Sequence, residues 1–210
     1  MKKSIIIFLL FPMMIQAQEQ VKRYLIDEFT TAVATTKGLP IRASFNYDCV
    51  KQEMQFEEDG EVFRLDNINN IDTLILDGHK MIPFANRFVE VVHTTDQYQL
   101  LLDHKIKINN KGKKGAMGTT TQGTVENIDI SLYKLSHTDK RMKSNSVYEG
   151  KNESGYILMV KGKAKKFKDA KSFAKAFPGQ KERIEAYIKE HGISFKDEQS
   201  IITLIEFVVN

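Results

Sequence analysis

The chain alternates short apolar runs with turn residues over its first two thirds. Two Asp-Gly pairs each stand between two such runs: Asp59-Gly60 between residues 54–56 and 62–65, and Asp77-Gly78 between residues 73–76 and 80–82. An Asp-Gly pair between apolar runs is a strong hairpin signal, because both of its residues accept the left-handed backbone of a tight type I′ turn. The pattern therefore predicts two successive β-hairpins.

Further apolar runs extend this β pattern, and the strands they predict are residues 29–36, 41–47, 87–93, 98–108, 156–160 and 164–167. A stretch rich in glycine and lysine, residues 109–123, predicts a loop or the end of a long hairpin. Ile128, Ile130 and Leu132 alternate with polar residues and predict one more strand, whereas residues 136–154 are polar and predict a loop. Successive short strands joined by polar turns predict an antiparallel meander, either a sheet curled on itself or a sandwich.

The last forty residues change from a period of two to the period of a helix. Three apolar stripes at helical spacing are present: Ala170, Phe173, Ala174 and Phe177; Ile184, Tyr187 and Ile188; and Ile201, Ile202, Leu204, Ile205 and Val208. Ser194 and Asp197 approximate a capping box ahead of the third stripe. Because short isolated helices are marginal in water, we expect the three helices to pack together and against the sheet. The predicted fold class is α+β, with an antiparallel β-rich body followed by three short C-terminal helices.

The N-terminus has the three-part layout of a secretory signal peptide. Lys2 and Lys3 form a basic head, residues 4–15 are almost wholly apolar, and Ala17 offers a small residue where a signal peptidase cuts. The apolar run is shorter than the roughly 20 residues that a membrane-spanning helix needs, and we expect no transmembrane segment in the mature chain. We therefore predict export, most simply to the periplasm, with the cell surface and the extracellular space left open. Gln18 rather than a cysteine follows the predicted cut, so no lipid anchor is expected.

Charge and composition divide the chain into three parts. The sequence carries 31 Lys and Arg against 27 Asp and Glu, a net charge of +4 to which the predicted signal peptide contributes two lysines. So weak a positive charge does not indicate a nucleic-acid partner. We predict a signal peptide (1–17), a β-rich body (18–160) and a basic C-terminal segment (161–210) that packs on the body.

Seven lysines fall within fifteen residues at the start of the C-terminal segment, and they are Lys161, Lys163, Lys165, Lys166, Lys168, Lys171 and Lys175. On a strand the first three share one face, and on a helix the last two lie one turn apart. Such a cluster is either a solvated face that keeps the protein soluble or a contact surface for an anionic ligand or partner. The chain has no Trp, a favoured platform for stacking sugars, which makes carbohydrate a less favoured ligand.

Cys49 is the only cysteine, so neither an intramolecular disulfide nor a cysteine-rich metal site is available. It lies in a strand-like stretch, where a small, half-buried side chain is the expected role and a reactive or intermolecularly paired thiol is the alternative. The predicted hairpin brings His93 and His104 near each other, which leaves a zinc pair as the alternative to two surface histidines. We predict no metal and no cofactor.

Two further motifs are weak. Ser131 and Lys134 fit the Ser-x-x-Lys motif of penicillin-binding enzymes, which needs both residues on one helix, but the neighbouring residues alternate as a strand, where positions three apart point to opposite faces. The loop 111–123 lacks the Gly-Lys-Ser/Thr spacing of a phosphate loop. An ordinary loop is expected there, with anion binding by backbone N–H groups as the alternative.

Several different runs of framework residues are spread over most of the chain, and they are residues 24–29, 45–48, 53–56, 88–92, 173–177, 188–191 and 204–207. In this order they resemble a group of exported proteins of Gram-negative bacteria to which no activity is assigned. The resemblance implies export and a shared fold with β structure first and helices last. It implies no functional residue, because framework residues do not carry a site.

These observations lead to one functional expectation and one alternative. We expect a non-enzymatic exported envelope protein that binds a macromolecule or an anionic ligand through the seven lysines. The alternative is a hydrolase acting on envelope material. A titratable group with a strongly shifted pKa in a cleft would favour the hydrolase, and a flat basic surface would favour binding.

Overall fold

The computed structural model describes residues 22–114, 120–121 and 146–209. The strands are β1 (Thr30–Thr36), β2 (Leu39–Asp48), β3 (Glu53–Glu58), β4 (Glu61–Arg64), β5 (Thr73–Leu76), β6 (His79–Phe84), β7 (Arg87–Thr94), β8 (Tyr98–Asp103), β9 (Ile106–Lys114), β10 (Thr120–Thr121), β11 (Ser146–Asn152), β12 (Gly155–Val160) and β13 (Lys163–Phe167). The helices are α1 (Ala170–Ala176), α2 (Lys181–His191) and α3 (Glu198–Val209), with 3-10 turns at Ile68–Asn70 and Pro178–Gln180. The predicted signal peptide (1–17) and the Ser131–Lys134 motif lie outside the described residues.

The described strands form two antiparallel sheets. Ten strands, in the order β13-β12-β8-β7-β6-β5-β1-β2-β3-β4, make one sheet that curls into a half-barrel. Because of this curl, β3 approaches β7 across the interior. The second sheet has the order β10-β9-β11. The α+β fold class is thereby confirmed, and a curled sheet is the form that the β-rich body takes.

Tight turns with left-handed residues connect the hairpins of the main sheet. The pairs with positive φ are Lys37-Gly38, Asp59-Gly60, Asp77-Gly78, Ala85-Asn86 and Lys161-Gly162. Both predicted Asp-Gly hairpins are confirmed, with Glu58 opposite Glu61 and Leu76 opposite His79. Glycine occupies the second position in four of the five turns, where the absence of a side chain allows the left-handed backbone without steric cost.

One face of the main sheet carries most of the core. A row of directly opposed residues crosses this face, and it consists of Ala34, Leu74, Met81, Glu90, Leu102, Tyr156 and Phe167. At one end of the row the curled strands enclose a first core around Tyr47, Met54, Leu74 and Phe88. At the other end the three helices cover the sheet and form a second core. The predicted apolar stripes supply that second core, since Phe173, Ile184, Ile201, Leu204 and Ile205 are fully buried.

The structure departs from the predicted elements in three places. The predicted strand 98–108 is interrupted at His104 and Lys105, because Ile106 leaves the main sheet and donates its N–H to Cys49 O. The predicted loop 136–154 contains β11, which pairs with β9. Helix α3 begins at Glu198 and Asp197 caps it, accepting the Ser200 N–H at 2.8 Å, so the predicted cap at Ser194 is wrong by almost one turn.

None of the helices in the described part of the chain is long and apolar enough to span a bilayer. The longest is α3, with twelve residues. Its buried residues face the second core, which accounts for its apolar character.

Candidate functional site

The seven predicted lysines lie at one edge of the main sheet. Strand β13 is the last strand on that side, so its outer edge has no strand partner within the described ranges. Lys163, Lys165 and Lys166 lie on β13, and Lys171 and Lys175 lie one turn apart on α1. Lys161 occupies the turn between β12 and β13, with φ of 49°, and so it is not part of the strand face that the spacing predicted. The structure thus gathers the seven lysines along one edge but not on a single face.

Lys165 differs from its neighbours because the fold uses its ammonium group. Its side chain is half-buried, its Nζ donates to the carbonyl of Ala176 at the end of α1, and the same atom lies 4.5 Å from the centre of the Phe177 ring. A cation at this position satisfies a helix-terminal carbonyl and complements the negative end of the helix dipole. Lys165 therefore holds α1 against β13.

The other six lysines are exposed, and we refer to them as the lysine strip: Lys161, Lys163, Lys166, Lys168, Lys171 and Lys175. None of them forms a salt bridge with a residue in the part of the chain that the structure describes. Asp169 is the acidic residue among them, and it caps α1 by accepting the Ser172 N–H at 2.7 Å and the Ser172 hydroxyl at 2.6 Å. These hydrogen bonds, with smaller contributions from Lys168 and Lys171, lower the pKa of Asp169. The strip is therefore a row of positive charge around one acid that serves the helix.

Protection of an edge strand is the structural explanation for lysines at this place, since charged edges resist pairing with another chain. The opposite edge of the same sheet allows a comparison. Strand β4 carries no lysine, but Glu61 and Arg64 on it are charged and exposed, and Val62 and Phe63 are 48% and 41% exposed. Lys171 and Lys175 lie on a helix rather than on the strand edge. Edge protection therefore accounts for part of the lysine strip but not for its extension onto α1.

A shallow open depression of about 720 Å³ lies at one end of the lysine strip. Its lining includes Lys161, Gln97, Gln99 and Tyr98. The Tyr98 hydroxyl is buried and has no hydrogen-bond partner among the described residues. Burial, with a smaller contribution from Glu206, raises the pKa of this phenol, so it remains a neutral donor. The depression therefore brings Gln97 and the acidic Asp96 beside the first lysine of the strip.

A polar cluster that the sequence pattern did not indicate lies on the core face of the sheet. Glu90 lies between the first and second cores. Its carboxylate is hydrogen-bonded to His79 Nδ1 at 2.7 Å and to His104 Nε2 at 2.6 Å. The side chain of Glu90 is 17% exposed, so a charged carboxylate there needs such partners. Burial raises the pKa of Glu90, but the two histidine hydrogen bonds outweigh burial and leave the pKa below its ordinary value.

The histidine arrangement overturns the zinc pair considered from the sequence. His93 lies opposite Leu100 and contacts the Tyr98 ring at a centroid distance of 5.7 Å, whereas His104 lies beyond the end of β8 and contacts His79 and Glu90. No group of three or more potential metal-ligating side chains occurs within residues 22–114, 120–121 and 146–209. The spacing along the sequence did not identify the pair of histidines that are in contact, because the contact between His79 and His104 depends on the register of three strands.

Cys49 is buried, with 4% of its surface exposed, and its thiol donates to the carbonyl of Tyr47. Burial, together with a smaller contribution from Asp48, raises the pKa of the thiol to about 12. A thiolate is the reactive form of cysteine. The structure therefore supports a packing role for Cys49 and not the reactive thiol considered as its alternative.

The resolved pKa shifts move away from neutrality. Among the described residues, the shifted pKa values of tyrosine, cysteine and arginine side chains lie above their ordinary values. The pKa values of the shifted carboxylates, Glu90, Asp169 and Asp197, lie below theirs. A general acid or base works best with a pKa near the working pH. These shifts give no support to the hydrolase alternative.

Searches of protein-family models, curated protein sequences and solved structures found no match to this chain.

Proposed function

We propose that this protein is an exported, non-enzymatic envelope protein that binds a phosphate-bearing surface of the cell envelope through the lysine strip. The observation that carries the proposal is the row of six exposed lysines without a salt-bridge partner in the described ranges. The N-terminal sequence, with its basic head and apolar run, supports export to the periplasm.

The length of the lysine strip favours an extended ligand over a small anion. Strand β13 has five residues, which rise about 3.3 Å each, so the strand is about 16 Å long. Helix α1 folds back against β13, because Ala176 at its end lies beside Lys165, and Lys171 and Lys175 therefore do not lengthen the row. A row of this length matches several phosphate groups on a surface. Each lysine close to an anionic surface contributes on the order of 1 kcal/mol, and this attraction falls within a Debye length.

The test is retention of envelope material by the mature chain predicted here, Gln18 to Asn210, at low and high salt. A strip variant carries Lys163→Glu, Lys166→Glu and Lys171→Glu. A charge-matched control carries Lys80→Glu, Lys107→Glu and Lys151→Glu, three exposed lysines on strands elsewhere. Lys165 is left in place because it supports α1.

We expect the wild type and the charge-matched control to retain the same envelope material at low salt and to release it at high salt. The strip variant is expected to retain little of it at either salt, although its net charge equals that of the control. Equal retention by both variants would show that the net charge, and not the lysine strip, determines binding, and would contradict the proposal.

A further inference from the structure

A second polar surface lies at one end of the half-barrel, away from the lysine strip. Three connecting segments meet there around a cleft of about 420 Å³: the turn after β2 with Lys51 and Gln52, the segment after β4 with Asn67 and Asn69, and the β6–β7 turn with Asn86. The mouth of a β-barrel is a common location for a small-molecule site, and the cleft has the corresponding position in this half-barrel. We refer to this feature as the polar cleft.

Several polar groups of the polar cleft already have a partner. Arg64 Nε donates to Asp66 Oδ1 at 3.0 Å, and Arg64 Nη1 lies 3.6 Å from Glu53. Gln52 Nε2 donates to Asp103 Oδ1 at 2.8 Å. The charges of Arg64, Glu53 and Asp66 are therefore paired within the cleft.

Four other polar groups of the cleft have no such partner. The side-chain amides of Asn67, Asn69 and Asn86 and the ammonium of Lys51 are exposed, and none forms a hydrogen bond or ion pair with a residue in the described part of the chain. An amide offers two donors and one acceptor in a single plane. The polar cleft therefore presents several unused donors and acceptors beside one unpaired positive charge.

The backbone at two of these asparagines has a left-handed conformation, with φ of 54° at Asn67 and 67° at Asn86. The other four left-handed hairpin turns have glycine at the position that Asn86 occupies. Turn geometry alone favours glycine there. An asparagine at this position accepts some conformational cost and brings an amide into the cleft.

The combination of groups indicates the class of ligand. A sugar hydroxyl donates and accepts at once, so neighbouring hydroxyl and acetamido groups match side-chain amides, and Lys51 supplies a charge for one acidic group. We propose that the polar cleft binds an acidic saccharide of one or two sugar units. The amides would give this recognition without the aromatic stacking platform that Trp offers elsewhere.

The test measures calorimetric binding of a glucuronic acid–N-acetylglucosamine disaccharide to the mature chain, with neutral N,N′-diacetylchitobiose as the reference. A cleft variant carries Asn67→Gly and Asn86→Gly, which keep the left-handed backbone and remove both amides. The matched control is Asp59→Gly, since Asp59 has φ of 51° in the β3–β4 turn and does not line the cleft. Thermal unfolding of every variant is measured in parallel.

We expect the acidic disaccharide to bind more tightly than the neutral one, and Lys51→Met to remove that preference. The cleft variant is expected to bind at least ten-fold more weakly with no loss of thermal stability, while Asp59→Gly and the strip variant bind as the wild type does. Absence of binding at millimolar concentration, or wild-type affinity in the cleft variant, would overturn the proposal. Loss of binding in the strip variant alone would overturn it too, because the lysine strip would then be the binding surface.

Discussion

A substitution of Lys165 tests whether this lysine stabilises the fold while the lysine strip binds the ligand. Lys165→Met keeps most of the aliphatic stem and removes the ammonium that contacts Ala176 O and the Phe177 ring. A favourable charge at a helix end contributes about 0.3–1 kcal/mol, and a partly exposed cation over an aromatic ring contributes about 0.5–1 kcal/mol. Because these contributions overlap, we expect a loss below their sum, of about 0.5–1.5 kcal/mol in the free energy of unfolding.

The measurement is urea unfolding of the mature chain, with the midpoint and the slope fitted separately. The matched control is Lys163→Met, an exposed lysine two residues earlier on the same face of β13, which is expected to change stability by less than about 0.5 kcal/mol. For a chain of this size the Lys165→Met loss corresponds to a fall of roughly 1–6 °C in Tm. Equal stability of the two variants would refute the assignment of Lys165 to the fold.

Three further predictions concern side chains that support or pack within the fold. Glu90→Gln should cost about 2 kcal/mol at pH 7, since two hydrogen bonds to a charged carboxylate are weakened. Because the pKa of Glu90 lies below its ordinary value of 4.5, its contribution is complete above that pH and is lost as the pH falls, so the difference from wild type should shrink in urea unfolding at pH 3. Asp197→Ala should lower Tm more than Ser194→Ala, because Asp197 rather than Ser194 caps α3; a larger effect at Ser194 would contradict this. The thiol of Cys49, with a pKa of about 12, should react with a thiol reagent at pH 8 only as fast as the chain unfolds, whereas rapid labelling of the folded protein would show an accessible thiolate.

Local signals were sufficient for the strands and helices that the sequence predicted well. Asp-Gly pairs define their own turn geometry, so the hairpins at Asp59-Gly60 and Asp77-Gly78 follow from four or five residues each. The stripe that contains Phe173 and Phe177 likewise needs only the helical period and the stop at Pro178. In each case the information lies within one element.

Features that depend on pairing between distant segments were missed. Strand β11 is polar and carries no alternation, so its pairing with β9 had no local signal. Glu90, His79 and His104 meet because the registers of β6, β7 and β8 align, and no spacing along the chain encodes that alignment. The local density of lysines along the sequence identified the cluster, but the separate role of Lys165 depends on where α1 ends.

The most direct test of the proposed function is binding of the purified mature chain to vesicles that contain phosphatidylglycerol, at about 0.1 M and about 1 M salt, where the Debye length falls from about 10 Å to about 3 Å. Loss of three lysines worth on the order of 1 kcal/mol each corresponds to roughly a hundred-fold loss of affinity. We predict that the strip variant loses this affinity at the lower salt, while the charge-matched control and Lys165→Met retain it. Equal vesicle binding by the strip variant and the charge-matched control would contradict binding through the lysine strip.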